Sequence, residues 1–146
     1  MALIVSEIDI ARPPGQLFAY VTDPSRFGEW QSGVVSAHLE GDGPPGAGSR
    51  CIITRRIGRA ERTLLYEITQ ITPPRTWAIR GIAGPIRENV TITVDPVNDG
   101  QDSHVTIRLD FHGHGIGKFL LPMVIRQARK EAPQNYQNLK KRLENR

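Results

Sequence analysis

The chain has 146 residues, of which 38% are hydrophobic and 23% charged, a balance typical of one folded domain and not of a disordered segment. Its longest apolar runs are far shorter than the ~20 residues that cross a bilayer, and its first residues lack the basic start of a signal peptide. The single cysteine, Cys51, excludes an internal disulfide bond, which favours a reducing, cytoplasmic location.

The net charge of +4 is unevenly distributed. Residues 113–146 carry eight basic and two acidic side chains, a balance of +6, so residues 1–112 carry −2. Such an excess is typical of a solvated helix face. The alternative is contact with a membrane surface of anionic lipid, or with another acidic partner. Nucleic acid is not an expected partner, because exposed aromatic residues are not interleaved with the basic ones.

The chain begins with a predicted strand and a short helix. Residues 3–12, LIVSEIDIAR, alternate as a strand does, and one face carries Ile4, Ser6, Ile8 and Ile10. A helix follows at Pro14, because proline is tolerated in a first helical turn. Its apolar residues recur at helical spacing: Leu17, Phe18 and Val21.

The next segment, DPSRFGEWQSG, contains two large aromatic residues among turn residues. Asp23 is a good helix cap and Pro24 a good first residue, so a very short helix is predicted here. Phe27 and Trp30 are three residues apart and lie on one side of it. Because so short a helix has little core of its own, these rings are predicted to cover an internal hollow. The alternative is that they are ordinary core side chains.

Six further strands are predicted between turn signals, at 34–40, 49–57, 60–71, 75–82, 86–95 and 103–112. Short turns of this kind join neighbouring antiparallel strands, whereas parallel strands need long crossovers. In HVTIRLDF and ENVTITVD, apolar and polar residues alternate clearly. One face of the sheet is therefore predicted to be apolar and the other solvated.

The last element is a predicted helix of about six turns with one apolar stripe. Its stripe steps by three and four residues through Leu121, Ile125, Ala128, Ala132, Tyr136, Leu139 and Leu143. The first turns are apolar nearly all round and need a partner besides the sheet, because they also contain Phe119, Leu120, Met123 and Val124. Pro133 is expected to bend the helix.

These elements predict an α+β fold, in which about seven antiparallel strands curl around the long C-terminal helix and leave a hollow. The segments resemble the SRPBCC superfamily of START domains, birch-pollen-type allergens and aromatic polyketide cyclases, and in particular its bacterial polyketide cyclase/dehydrase branch. The resemblance lies in the opening strand and in PPGQLFAYVTDPSRFGEW, LEGDGPPGAGSR, YEITQITPPRTWAIRG, GIGKFLLPMVIRQARKE and NLKKRLE. It implies a single helix-grip domain over residues 1–146, with a deep apolar cavity for a hydrophobic small molecule.

The residues expected to line this cavity are large and apolar, and lie on the short helices, the inward strand faces and the start of the last helix. They are Phe18, Val21, Phe27, Trp30, Tyr66, Trp77, Ile79, Val90, Ile92, Ile107, Leu109, Phe111, Phe119 and Met123. For Trp77 and Ile79 the simpler interpretation is ordinary core packing.

Candidate catalytic residues are few. Tyr66 and Arg55 are the strongest, because each is in phase with apolar neighbours and could polarise a carbonyl group inside an apolar pocket. The alternatives are that Tyr66 is an ordinary core residue, and that Arg55 faces outward while Ile52 faces inward. The series Asp110, His112, His114 has spacing for a metal site. These three residues lie on the strand face that is predicted to be solvated, so no metal is expected. Cys51 is expected to be a small, packed hydrophobic side chain.

Three functions follow from these features. The first is binding or transport of a hydrophobic small molecule such as a lipid, polyketide or isoprenoid, because apolar pocket candidates outnumber convergent polar ones. The second is a polyketide cyclase, aromatase or dehydratase that needs no cofactor. The third is docking on a membrane or partner through the basic C-terminal helix.

Overall fold

The computed structural model describes residues 2–145 and shows an antiparallel sheet packed against a long C-terminal helix. The seven strands are β1 Ala2–Ile10, β2 Val34–Leu39, β3 Arg50–Ile57, β4 Ala60–Thr72, β5 Thr76–Gly81, β6 Ile86–Val97 and β7 Asp102–Gly113. The helices are α1 Pro14–Val21, a 3-10 turn at Pro24–Arg26, α2 Phe27–Trp30 and α3 Gly117–Glu144. The α+β helix-grip fold predicted from the sequence is confirmed.

The strand order across the sheet is β1-β7-β6-β5-β4-β3-β2. From β2 to β7, each strand pairs with its neighbour in sequence, as the short predicted turns require. The exception is β1, which pairs with β7 from the other end of the chain. Register shifts in β2 and β4 mark bulges, which increase the local twist and help the sheet to curl.

Two rows of paired residues form the apolar face of the sheet. In one row Ile79 pairs with Val90 and Val90 with Leu109. In the other row Trp77 pairs with Ile92 and Ile92 with Ile107. Except for the partly buried Leu109, all these side chains are buried, because α1, α2 and α3 cover this face.

Helix α3 packs on the sheet through the predicted stripe, and Ala132, Tyr136 and Leu139 are buried in the core. The helix is continuous through Pro133, so the predicted bend there stays a prediction. In the described part of the chain, no helix combines the length and apolar composition needed to cross a bilayer.

The start of α3 is held close to the loop before β6. The backbone N–H of His114 donates to the carbonyl oxygen of Pro85 at 2.8 Å. A Cβ atom on Gly117 would overlap that same carbonyl, so the approach requires glycine at this position.

The prediction that Phe119 and Met123 line the cavity is wrong. Their side chains are 86% and 43% exposed. The buried face of these turns is defined by Gly117 and Val124, which are seven residues apart. Phe119 is five residues from Val124, about 140° around the helix, and therefore points away from the sheet.

Candidate ligand-binding site

A cavity of about 650 Å³, counted with its opening to solvent, lies between the sheet and α3. We call it the main cavity. The structure brings nine of the predicted lining residues together around it: Val21, Phe27, Trp30, Trp77, Ile79, Val90, Ile92, Ile107 and Leu109. They come from α1, α2 and three strands, β5, β6 and β7, so the cavity exists only in the assembled fold.

Phe27 and Trp30 of α2 belong to a chain of aromatic rings along the cavity wall. The Phe27 ring stands edge-on to Trp30 at 6.3 Å and to Trp77 at 6.0 Å between centroids. Trp30 continues to Tyr136 of α3 at 6.3 Å. Edge-to-face pairs at these distances are favourable. The two α2 rings are thus well packed while they line the cavity.

Helix α2 is fastened to α3 by polar contacts beside these rings. The backbone N–H of Ser32 donates to Oδ1 of Asn135 at 3.0 Å, and Nδ2 of Asn138 donates to the carbonyl of Trp30 at 3.4 Å. Gln31, Glu131 and Asn135 line the cavity and are partly exposed. The main cavity therefore opens between the end of α2 and the middle of α3.

A second cavity, of about 510 Å³ counted in the same way, adjoins the first. Its lining includes two more predicted residues, Tyr66 and Phe111. Both cavities share Arg55, Glu88 and Glu131, together with Ala128. Charged side chains thus lie where the two apolar spaces meet.

Arg55, Tyr66 and Glu88 form a connected polar group, here called the polar trio. The Tyr66 hydroxyl donates to Oε1 of Glu88 at 2.8 Å, and Nη2 of Arg55 lies 4.0 Å from the same oxygen. The Arg55 and Glu88 side chains are only 21% and 11% exposed. Arg55 shares the inward phase of Cys51 and Ile53, so the outward alternative with Ile52 inside is wrong.

The surroundings of the trio alter its acid–base chemistry. Burial and the negative charge of Glu88 raise the pKa of Tyr66 well above its ordinary value, so its hydroxyl keeps its proton. Burial lowers the pKa of Arg55, but the Glu88 carboxylate and Tyr66 outweigh that effect, and the net change is upward. The trio therefore presents a permanent cation to the cavities, while the neutral Tyr66 hydroxyl holds the Glu88 carboxylate.

Glu88 was missed in the sequence. It lies on β6 in phase with Val90 and Ile92, and like them it is buried. Extending the apolar alternation two residues towards the start of the strand would have placed it inside. Glu131 was missed as well; it is partly buried and lies three residues after Ala128 of the predicted stripe, on the same side of α3.

Three lining residues of the main cavity carry an unpaired donor. Among residues 2–145, no partner is found for the buried Nε1 of Trp30, Nε1 of Trp77 or Nε of Arg55. A buried N–H group without a partner costs about 1–3 kcal/mol. An acceptor oxygen on a bound molecule would remove that cost.

The remaining candidates lie elsewhere. Phe18 is buried in the core but lines neither cavity. Asp110 and His112 are partly exposed and approach to 3.3 Å, and residues 2–145 contain no cluster of three metal-type side chains. Cys51 is fully buried, and burial raises the pKa of its thiol to about 11.

Comparison with protein families and curated proteins gives one match. Residues 1–144 match the family model described as polyketide cyclase/dehydrase and lipid transport. No curated protein is significantly similar to the chain in sequence. The family match covers every strand and helix described above.

Solved structures share the fold at low sequence identity. The Zhui aromatase/cyclase from Streptomyces sp. R1128 has a TM-score of 0.80 and 10% identity, over 98% of this chain and 93% of its own. A START superfamily protein from Mycobacterium smegmatis has a TM-score of 0.76 and 13% identity, over 97% of each chain.

A third structure is longer than this chain. The di-domain aromatase/cyclase BexL from the BE-7585A biosynthetic pathway has a TM-score of 0.72 and 14% identity. The match covers 96% of this chain but 45% of that one, so this chain spans less than half of it. At such identities the similarity shows the fold alone.

Proposed function

The chain belongs to the polyketide cyclase/dehydrase and lipid transport family, and from this premise we propose that it binds an amphipathic small molecule in the main cavity. The observation that carries the proposal is an apolar lining interrupted by three buried, unpaired N–H donors. Apolar walls with a few placed polar groups are typical of ligand sites.

The ligand chemistry follows from these donors. Trp30 and Trp77 place indole rings on the cavity wall, which favours an apolar or aromatic body. Arg55 contributes a partly compensated positive charge, since Glu88 is 4.0 Å away and at the edge of ion-pair distance. An oxygen-bearing group, anionic or strongly polarised, fits beside Arg55.

Two fluorescent probes of nearly equal shape test this proposal. Anilinonaphthalene sulfonate carries an anionic group and N-phenylnaphthylamine lacks it. We expect the anionic probe to bind about tenfold more tightly, and Arg55→Met to abolish the difference, because a hydrogen bond to a charged group contributes about 1.5–3 kcal/mol. Arg56→Met is the matched control, since that neighbouring side chain is 62% exposed.

The position of the probe is tested through Trp30. The sequence has two tryptophans, so Trp77→Phe leaves Trp30 as the only indole. Binding should shift or quench its emission, and Trp30→Ala should weaken binding per folded molecule. Equal affinities for both probes, or unchanged Trp30 emission while calorimetry shows binding, would refute the proposed site.

The second candidate function is a cofactor-free cyclase, and the polar trio favours it. Arg55, whose Nε finds no partner within residues 2–145, is suited to polarising a ketone, and the Glu88 carboxylate, positioned by the Tyr66 hydroxyl, to accepting a proton from carbon. Incubation with a poly-β-ketone thioester tests it. Ring closure with loss of water that is slower in Tyr66→Phe would support catalysis. Unchanged substrate would contradict catalysis and leave ligand binding as the only proposed function.

A further inference from the structure

The first turns of α3 expose an apolar cluster. Ile116 is 68% exposed, Phe119 86% and Met123 43%, and Pro122 between them is also exposed. Among the described residues, no other aromatic ring is so exposed. Single exposed apolar residues are ordinary, but a group of them on one element indicates an interaction surface.

Contacts on both sides of α3 keep this apolar cluster exposed. Gly117 lies directly against Pro85, which fixes the helix on one side. On the other side, Gln127 accepts from the N–H of Gly58 at 2.9 Å and donates to the carbonyl of Arg56 at 3.1 Å. With α3 held by two loops, Phe119 cannot turn towards the core without breaking these contacts.

The charges along the first turns of α3 are all of one sign. From residue 113 to residue 130 the sequence has no acidic residue, and it has four basic ones: Lys118, Arg126, Arg129 and Lys130. All four are exposed, and within residues 2–145 none forms a salt bridge. Further along the helix, Lys140 pairs with Glu144 at 2.8 Å. The first four basic residues of α3, which lie nearest to the apolar cluster along the helix, therefore carry positive charge that no carboxylate of the described residues neutralises.

The apolar and basic residues follow one another along the same outer face of α3. Phe119, Met123, Arg126 and Lys130 are separated by four, three and four residues and are all exposed. At 1.5 Å per residue, Arg126 lies about 10 Å and Lys130 about 16 Å beyond Phe119 along the helix. The apolar cluster is thus followed on the same face by Arg126 and Lys130, here called the basic collar, and helices that combine an apolar and a basic surface bind anionic membrane interfaces.

From this order we propose that the helix start docks on an anionic membrane surface. Phe119, with Ile116 and Met123, inserts at the headgroup–acyl boundary, and the basic collar binds lipid phosphates. A second copy of the chain fits less well, because two such surfaces would bring four unpaired cations against four others. The proposal does not depend on what the main cavity binds.

Vesicle flotation tests the docking. The full chain should bind vesicles of phosphatidylglycerol and phosphatidylcholine in equal parts, and not vesicles of phosphatidylcholine alone. Phe119→Ser should lower the partition coefficient about tenfold, because one inserted phenyl ring is lost. Arg126→Glu should lower it about tenfold as well, since each basic residue near the surface contributes to the attraction.

Two control variants distinguish docking through this surface from nonspecific attraction between the basic protein and the anionic vesicles. Val97→Ser removes a 37% exposed apolar side chain at the opposite end of β6 from Pro85. Lys141→Glu reverses an exposed charge on α3 that lies about 22 Å from Arg126, beyond the Debye length of about 8–10 Å. Both should retain binding within about twofold.

Three results would overturn the proposal. The first is no binding to the anionic vesicles. The second is a loss in Lys141→Glu as large as that in Arg126→Glu, which would indicate attraction to net charge only. The third is a dimer in sedimentation velocity that Phe119→Ser dissociates, which would assign the cluster to a second copy. Thermal unfolding of each variant verifies its fold, and Phe119 is exposed enough for its loss to be tolerated.

Discussion

Glu88 connects the neutral Tyr66 hydroxyl and the positively charged Arg55 guanidinium on the inner face of the sheet. Its carboxylate accepts the Tyr66 hydrogen bond and faces the Arg55 guanidinium, in a position that is 9% exposed. Buried charges of this kind are costly unless they are paired and hydrogen-bonded. The stability of the trio therefore depends on all three members being present.

We predict that Glu88→Gln lowers the free energy of unfolding by about 2 kcal/mol, because it leaves Arg55 without its counter-charge. Replacing all three members by Arg55→Met, Tyr66→Phe and Glu88→Leu should restore most of that loss. Urea denaturation measures both. Glu67→Gln is the control, because its partner Arg80 is 58% exposed and the pair contributes less than about 1 kcal/mol. A Glu88→Gln protein as stable as the wild type would contradict the prediction.

His104 gives the stability a pH dependence. When protonated, it donates from Nδ1 to Asp9 at 2.6 Å and from Nε2 to Glu7 at 3.0 Å, across the β1–β7 pair. These two hydrogen bonds raise its pKa above the ordinary value. Its contribution is thus complete below the unfolded pKa of about 6.5 and is lost as the pH rises through the higher folded pKa.

We predict that His104→Gln is less stable than the wild type by up to about 1 kcal/mol at a pH of about 5.5, and that this difference shrinks towards zero as the pH rises beyond the folded pKa. Urea denaturation over a pH series measures it. His38→Gln is the control, since His38 is exposed and, within residues 2–145, forms no salt bridge. A constant difference between His104→Gln and wild type would disprove the linkage.

At the scale of residues, local sequence predicts what is apolar better than what is polar and buried. Alternation alone predicts that Val90 and Ile92 face inward, and both are buried. Glu88 could not be placed in the same way, because what makes its burial tolerable comes from other strands: Tyr66 on β4 and Arg55 on β3. Such compensation is visible only once the sheet register is known.

At the scale of elements, α3 carries two prolines in its interior, Pro122 and Pro133. Each lacks the N–H that would donate to the carbonyl four residues earlier. Pro133 is exposed, so its ring makes no core contact that would offset this loss.

We predict that Pro133→Ala raises the free energy of unfolding by about 1–3 kcal/mol, because it restores a helical hydrogen bond and removes a steric conflict. Gln134→Ala, at the next exposed position, should change it by less than about 0.5 kcal/mol. Thermal and urea unfolding compare the two. If Pro133→Ala were destabilising, the bend expected at this proline would be needed to seat Tyr136 and Leu139 against the sheet.

The elements themselves followed from periodicity and turn residues. All seven strands lie where the sequence predicts them, and each strand end is within two residues of its predicted position. At the start of α3, apolar character predicts burial nearly all round the helix, and this prediction is wrong for Phe119 and Met123. Val124 is buried there, whereas Phe119 is exposed, and the contacts of Gly117 with Pro85 and of Gln127 with Gly58 decide which face turns inward.

At the scale of the whole molecule, the cavity is a product of the assembled fold. Its walls come from α1 and α2 near the beginning of the chain, from the middle strands, and from α3 at the end. The general position was predictable, because a curled sheet and one helix leave a hollow that short helices cover. The polar trio between the main cavity and the second cavity was not predictable, because it requires side chains from three strands to meet in space.

The pairing of β1 with β7 has a consequence for the order in which the native state forms. Strands β2 to β7 pair through short connections, whereas Ile8 meets Val105 only after about two thirds of the chain has been brought into a loop. Closing so long a loop has a large entropic cost, and topologies dominated by distant contacts fold slowly. Docking of β1 is therefore expected to be the final event. In pulsed amide exchange during refolding, the β1 amides would acquire protection after those of β4 and β5.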